Sequence, residues 1–201
     1  MKEVTINEEQ AAGELAAVAE QQIVNGVNVD ELNATVDAIK VDAEIAKFKF
    51  RASNKWVSGG HNRTTVKDLY GACQEITRDR PFVIEADEPP ILLGTDRGAN
   101  PVEYTLAALA GCLTTTLVFF ASAEGVKLDE VTSRFEADAS MLGFLGLDEN
   151  TRMGFDEIRV TFDIKSEAPR EKIQELLELA QARSGVFDML TNPTPVSVRL
   201  A

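Results

Sequence analysis

The chain's pattern predicts an α+β fold in which antiparallel hairpins surround one central buried helix. Three observations carry that prediction. From Phe48 the period is two: Phe48, Phe50 and Ala52 alternate with Lys49, Arg51 and Ser53. Residues 101–124 are apolar round nearly the whole helical circumference, the mark of a helix covered on most sides. Strict alternation returns at Ile158, Val160, Phe162 and Ile164, whose polar neighbours form one wet face.

Residues 1–45 read as a helical appendage to a main body at 46–201. Asn7 and Gln10 have the spacing of a capping box. Leu15, Val18, Gln22 and Ile23 recur at helical spacing, and Asn25-Gly26 reads as a stop signal. Val29, Leu32, Val36 and Ile39 predict a second helix. Two such short helices bury little alone and are expected to pack on the main body or on a partner subunit.

In the main body the first strand is expected from Phe48 to about Val57, followed by a turn at Ser58-Gly59-Gly60-His61-Asn62. Thr64–Leu69 and Pro81–Ala86 are further strand candidates, and 87–100 is a loop rich in Pro, Gly and Asp. Asn100-Pro101-Val102-Glu103 is a helix start, with Asn at N-cap, Pro at N1 and Glu at N3. Gly125 ends that helix, and a strand follows from Asp129 to Ala139. Residues 140–154 read as a loop with an apolar tip formed by Met141, Leu142, Phe144, Leu145 and Leu147. Ile173, Leu176, Leu177 and Ala180 mark an amphipathic helix entered through Pro169, and Val196, Val198 and Leu200 predict a closing strand.

Composition narrows the function. The chain has 201 residues, 44% hydrophobic and 26% charged, as in an ordinary folded domain. With 20 Lys+Arg against 33 Asp+Glu the net charge is −13, which argues against a surface that binds nucleic acid. Cys73 and Cys112 are too few for a disulfide scaffold, and a single histidine, His61, argues against a metal site built on imidazoles. Residues 1–24 lack the basic start and apolar run of a signal peptide. Residues 106–123 could be read as a membrane span, but Gly111, Thr114-Thr115-Thr116 and the lack of basic flanks favour a buried helix. No membrane partner and a cytoplasmic location are therefore expected.

Cys112, in Ala110-Gly111-Cys112-Leu113, lies mid-helix. By residue chemistry alone it reads as a buried, inert thiol, because apolar surroundings raise a thiol's pKa; reactivity would need a donor or cation beside it. Cys73 reads as a semi-buried structural thiol, with pairing to Cys112 the alternative. Trp56, Tyr70, Phe119, Phe120, Phe135 and Phe187 either line a hydrophobic pocket or belong to the core.

The run Asp87-Glu88-Pro89-Pro90-Ile91-Leu92-Leu93-Gly94, followed by Gly98-Ala99-Asn100-Pro101-Val102-Glu103-Tyr104-Thr105-Leu106-Ala107-Ala108-Leu109-Ala110-Gly111-Cys112, closely resembles the OsmC/Ohr family. Phe155-x-x-Ile158-x-Val160, the helix at 169–183 and Pro195-Val196-x-Val198 extend the resemblance over about 48–200. It implies an OsmC-like fold, an intertwined homodimer with curved antiparallel sheets wrapped round two central helices. It also implies thiol-dependent reduction of organic hydroperoxides, as in a stress-response peroxidase, with an external thiol reductant and no metal or bound cofactor. Cys112 falls on the peroxidatic position.

The chain departs from the family at three places. Ser184 stands where the resolving cysteine is expected, and serine cannot form a disulfide. After Gly59-Gly60 comes His61, with Arg63 two residues on, so that Arg63 or a protonated His61 would take the role of the thiolate-holding Arg. Glu103, the candidate to orient that Arg, precedes Cys112 by nine residues, half a helical revolution out of phase and about 13 Å along the axis. Glu103 therefore acts on an Arg or across a dimer, or serves only as the N3 cap. The catalytic set expected is Cys112, Arg63 and Glu103. The rival expectation is a non-enzymatic protein that binds a small apolar ligand. A third is a one-cysteine peroxidase reset by an external low-molecular-weight thiol.

Overall fold

The computed structural model describes residues 21–200, so the capping box expected at Asn7–Gln10 and most of the first predicted helix lie outside the described residues. Where that helix was expected to end, the chain is a small hairpin. Strand β1 (Ile23–Val24) pairs antiparallel with β2 (Val27–Asn28). Asn25 and Gly26 stand between them with φ of 50° and 79°. Two successive left-handed residues make the tight hairpin turn that Asn-Gly favours, so the pair turns strands here and does not stop a helix. Helix α1 (Val29–Val41) follows as predicted, capped by the Asn28 side chain accepting from the Glu31 N–H.

A three-stranded sheet comes next. It consists of β3 (Ser53–Ser58), β4 (His61–Val66) and β7 (Phe82–Ala86) in the order β3-β4-β7, antiparallel throughout. The predicted strand from Phe48 is shorter than its alternation implied. Phe48 and Phe50 stack on each other, and only Lys49 bridges, to Tyr70. The turn before β4 is only Gly59-Gly60; His61 and Asn62 are already ladder residues. Between β4 and β7 the chain makes a hairpin absent from the sequence prediction, β5 (Leu69–Gly71) with β6 (Gln74–Ile76).

Helix α2 (Pro101–Ala123) has the full capping box at Asn100 and Glu103 and ends before Gly125 at φ 70°. It is long and apolar enough to span a bilayer by length and composition, yet it is the core helix of this chain. Leu117 and Ala121 are fully buried against Leu176 and Ala180 of helix α4 (Arg170–Arg183). The long hairpin of β8 (Glu130–Ala139) and β9 (Phe155–Lys165) closes that core with Val131, Phe162 and Ile164. The apolar tip between β8 and β9 includes the short helix α3 (Met141–Phe144), and Phe144 and Leu147 are exposed as expected.

The chain's end differs from the prediction. Helix α5 (Gly185–Thr191) follows α4 directly. The expected closing strand is absent: Val196, Val198 and Leu200 lie without regular structure, exposed and with no ladder partner.

Candidate functional site

Cys112 sits half-buried in the middle of α2, opposite the junction of α4 and α5. That junction is one residue, Ser184, which ends α4 and caps α5. Its backbone (φ −74°, ψ 117°) turns the chain, and its Oγ accepts the Phe187 N–H at 3.2 Å, as an N-cap serine does. Only 2% of Ser184 is exposed.

The packing of α2 on α4 and α5 brings Ser184, Gly185 and Val186 into the neighbourhood of Cys112. Burial is the largest influence on this thiol and pushes its pKa up. The donors together outweigh burial: Ser184 first, then the Val186 and Gly185 N–H groups and Thr116, so the pKa falls below that of an ordinary cysteine. Ser184 is the stronger of the two hydroxyls. A hydroxyl has one proton and two lone pairs, and Ser184 spends a lone pair on the Phe187 N–H. Thr116 has its proton drawn to the Cys112 carbonyl at 2.7 Å.

An open cleft of about 520 Å³ lies between α2, β9, α4 and α5; Leu113, next to Cys112 in sequence, lines it, and Cys112 itself does not. Leu109, Leu113, Phe187 and Leu190 form its apolar side, and Arg152 and Gln181 are among its polar margins. Of the six aromatics singled out in the sequence, Phe187 lines this cleft, whereas Trp56 is 69% exposed on the sheet.

The other expected site residues lie elsewhere in the protomer. Arg63 is on β4, its Nε 2.6 Å from Glu85 Oε1, and His61 Nε2 lies 2.8 Å from Glu85 Oε2. One carboxylate on β7 thus holds both, and the His61 and Arg63 hydrogen bonds keep the Glu85 carboxyl below its usual pKa. His61 is buried, not set in a solvated turn. Glu103 accepts the Asn100 N–H at 2.8 Å and is a cap. The side-chain hydrogen bonds of Arg63 and Glu103 go to Glu85 and Asn100, not to Cys112. Cys73 is exposed, not semi-buried. It follows Ala72 in the β5–β6 turn, and both residues have positive φ (49° and 61°).

Two carboxylates organise the approach to α2. Asp87 is buried and accepts from the backbone of Glu88, Thr95 and Arg97 and from the Thr95 hydroxyl, which hold its pKa at about 2. Glu88 bonds the Asn100 side chain, and Tyr104 donates to the Glu85 carbonyl at 2.6 Å, so β7 is tied to the first turn of α2.

Sequence reading found Cys112 but missed its donors. Thr116, one helical turn on, was legible from spacing. Ser184-Gly185 had been read only as a missing cysteine, though a serine between two helical stretches is also a cap signal. Nothing in the local sequence marks Glu85.

The family model for OsmC-like protein matches residues 94–199. Among solved structures, an OsmC-like protein from Mycoplasma pneumoniae is similar, with TM-score 0.54 and 17% identity over 72% of this chain and 89% of that one. An OsmC-like protein of unknown function from Vibrio cholerae has TM-score 0.51 and 12% identity over 70% of this chain and 92% of that one. At these identities the likeness is one of fold. No curated protein matches this chain.

Proposed function

This chain belongs to the OsmC-like protein family, and from that premise we propose that it reduces organic hydroperoxides through Cys112. The observation that carries the reading is the thiol's setting: a half-buried sulfur whose pKa is lowered by Ser184 and two backbone N–H groups, on a helix whose Leu109 and Leu113 line an apolar cleft. A thiolate attacks the terminal oxygen of the hydroperoxide. The O–O bond breaks, sulfur is oxidised to sulfenic acid, and the alkoxide leaves and takes up a proton from solvent. A small external thiol condenses with the sulfenic acid, releasing water and forming a mixed disulfide. A second thiol exchanges onto the first, returning the Cys112 thiol and leaving an external disulfide. Leu109, Leu113 and Phe187 favour an organic group over hydrogen peroxide.

We assign the working form to a homodimer. In one protomer every residue of β3 is exposed, Phe82 is 62% exposed, and most of the apolar circumference of α2 is uncovered. A second copy would cover these surfaces with an interface of more than about 2,000 Å². Arg63, held by Glu85, would then be offered to a thiolate from the sheet. A cytoplasmic setting, where small thiols stay reduced, fits this cycle.

The test is consumption of cumene hydroperoxide by the full chain with dithiothreitol as reductant, against Cys112→Ser. The wild type should consume it, faster than hydrogen peroxide, and a sulfenic-acid reagent should label Cys112 and spare Cys73. Equal slow labelling of both cysteines with no turnover would sink the reading. A second reading is favoured by the cleft itself: about 520 Å³ is ample for a small apolar ligand bound without chemistry. Under that reading Cys112→Ser leaves ligand binding unchanged.

A further inference from the structure

We propose that the hollow between residues 47–51 and the β5–β6 hairpin binds a mononucleotide, its phosphate on Lys47, Lys49 and Arg51 and its base against Tyr70. The net charge of −13 conceals an uneven distribution. Residues 47–82 carry eight of the chain's 20 Lys and Arg but only three of its 33 Asp and Glu. Within this basic stretch lies an open hollow of about 430 Å³, lined by Lys47, Phe48, Lys49, Arg51, Tyr70 and Glu75. It shares no residue with the cleft along α2.

The segment Lys47-Phe48-Lys49-Phe50-Arg51 alternates cations with aromatics. In an extended chain successive side chains point to opposite sides, so the three cations share the side away from the stacked Phe48 and Phe50 rings. Three contacts fix this segment on the hairpin. Lys49 and Tyr70 exchange backbone hydrogen bonds of 2.8 and 3.0 Å. The Phe48 ring lies so close over Gly71 that it leaves no room for a Cβ there. Arg51 Nη1 and Nη2 donate to the two Glu75 carboxylate oxygens at 2.7 and 2.8 Å. That clasp holds the guanidinium plane and leaves three of its five N–H donors unspent by the pair. Lys49 is in no ion pair among the described residues. Lys47 pairs with Glu44, both side chains being exposed, and an exposed pair is weak enough for a phosphate to replace.

These groups select the ligand. A phosphate answers the cations, and a planar base answers the Tyr70 ring. The hollow has the size of a small-molecule site. Outside residues 47–82 the chain has 12 Lys and Arg against 30 Asp and Glu, which repel a polyanion that extends past the hollow. One nucleotide is therefore favoured over a nucleic-acid strand.

The experiment is calorimetric titration of the full chain at low ionic strength with AMP, adenosine, inorganic phosphate and an oligoadenylate. AMP should bind once per chain and more tightly than adenosine or phosphate, since only AMP engages both halves of the site. Lys49→Ala should weaken AMP about tenfold, the loss of one charge-assisted contact. Tyr70→Leu should weaken AMP and leave phosphate binding as in the wild type. Both variants keep the backbone bonds between residues 49 and 70. Should Tyr70→Leu fail to fold, the wild-type titrations with adenosine and phosphate separate base from phosphate without it. Absence of saturable AMP binding up to about 1 mM overturns the proposal. So does AMP affinity unchanged in Lys49→Ala, phosphate binding as tight as AMP, or oligoadenylate binding tighter than AMP. Hydroperoxide turnover does not enter this test, so the peroxidase reading and this one stand or fall separately.

Discussion

The surroundings of Cys112 and the surroundings of Arg63 are built in opposite ways. The thiol lies among α2, α4 and α5, beside a core that one chain closes by itself; Leu117, Ala121, Leu176 and Ala180 are fully buried there. Arg63 belongs to the β3-β4-β7 sheet, which among the described residues is tied to α2 only at its first turn, through Tyr104 and Glu85, and from which Trp56 and Phe82 project into solvent. What differs is the source of order. The thiol's donors are placed by hydrophobic packing and a helix cap. The side chains of His61 and Arg63 are placed by one carboxylate, Glu85, on a sheet that leaves Trp56, Phe82 and Val83 exposed. A thiolate can therefore be stabilised inside a single chain, while the cation-bearing sheet is the part a second copy would complete.

The sharpest way to break this comparison is at the core. Leu176→Ala removes a fully buried side chain packed on α2 and should cost about 2–5 kcal/mol in urea unfolding, because the cavity cannot collapse between two helices. The same helix positions Ser184, so the pH midpoint of Cys112 alkylation should rise in parallel toward that of an ordinary cysteine. Trp56→Ala on the sheet is the matched control. If the sheet is open in solution, this exposed residue contributes little to unfolding; if a second copy covers it, sedimentation will show the variant dissociating at concentrations where the wild type does not.

How much of this was legible in the sequence follows the same division. The core elements were visible because burial imposes a period: α2, α4 and β9 sit within a few residues of their predicted bounds. The Asn100 capping box was read correctly because it depends only on neighbours three residues apart. The β3 strand was overextended because Phe48 and Phe50 alternate for stacking, not for pairing. The closing strand at Val196–Leu200 has the right alternation and no partner in one chain; a period of two specifies a face, and pairing needs another strand to supply the ladder. Helix α5 was missed because seven residues carry too little period. Cys112 was found from its motif, but its donors come from a junction 72 residues away, and Glu85 meets His61 and Arg63 only through the β4–β7 register.

Glu85→Gln sharpens the comparison from the sheet side. Its carboxyl is held below the usual range by His61 and then by Arg63. A depressed carboxylate stabilises the fold above its unfolded pKa and loses that contribution as pH falls through the folded value. Wild-type stability should therefore fall on acidification below about pH 4.3, the ordinary glutamate value. Glu85→Gln should be less stable than wild type at neutral pH and show a shallower acid limb. Asp87, held at about 2, prolongs the wild-type decline into stronger acid, so the two carboxylates can be told apart by Asp87→Asn, which should flatten only the lower part. An acid limb unchanged by Glu85→Gln would mean that the cluster is not formed in solution.

The smallest effect concerns the N-terminal hairpin, which joins the self-contained half from outside. Asn25 donates to the Ser122 hydroxyl at 3.2 Å and to the Val126 carbonyl at 2.9 Å, and accepts the Leu128 N–H at 2.8 Å. Ser122 in turn donates within reach of the Val24 and Val118 carbonyls. One side chain thus satisfies the groups left open where α2 ends and β8 begins, while its own backbone occupies the left-handed region that Asn tolerates. Asn25→Ala removes all three bonds and puts a less suited residue at φ 50°, and should cost about 1–3 kcal/mol. Asn25→Gly separates the two contributions: it keeps the backbone at ease and loses only the bonds. Hydrogen exchange gives the decisive reading. Amides at 23–30 and at Leu128 should lose protection in both variants, while those at 109–117, next to the thiol, keep theirs. Loss of protection around Cys112 as well would show that the hairpin braces the site. The extension would then belong to the same cooperative unit as the core, and the thiol's setting would depend on residues outside the matched family region.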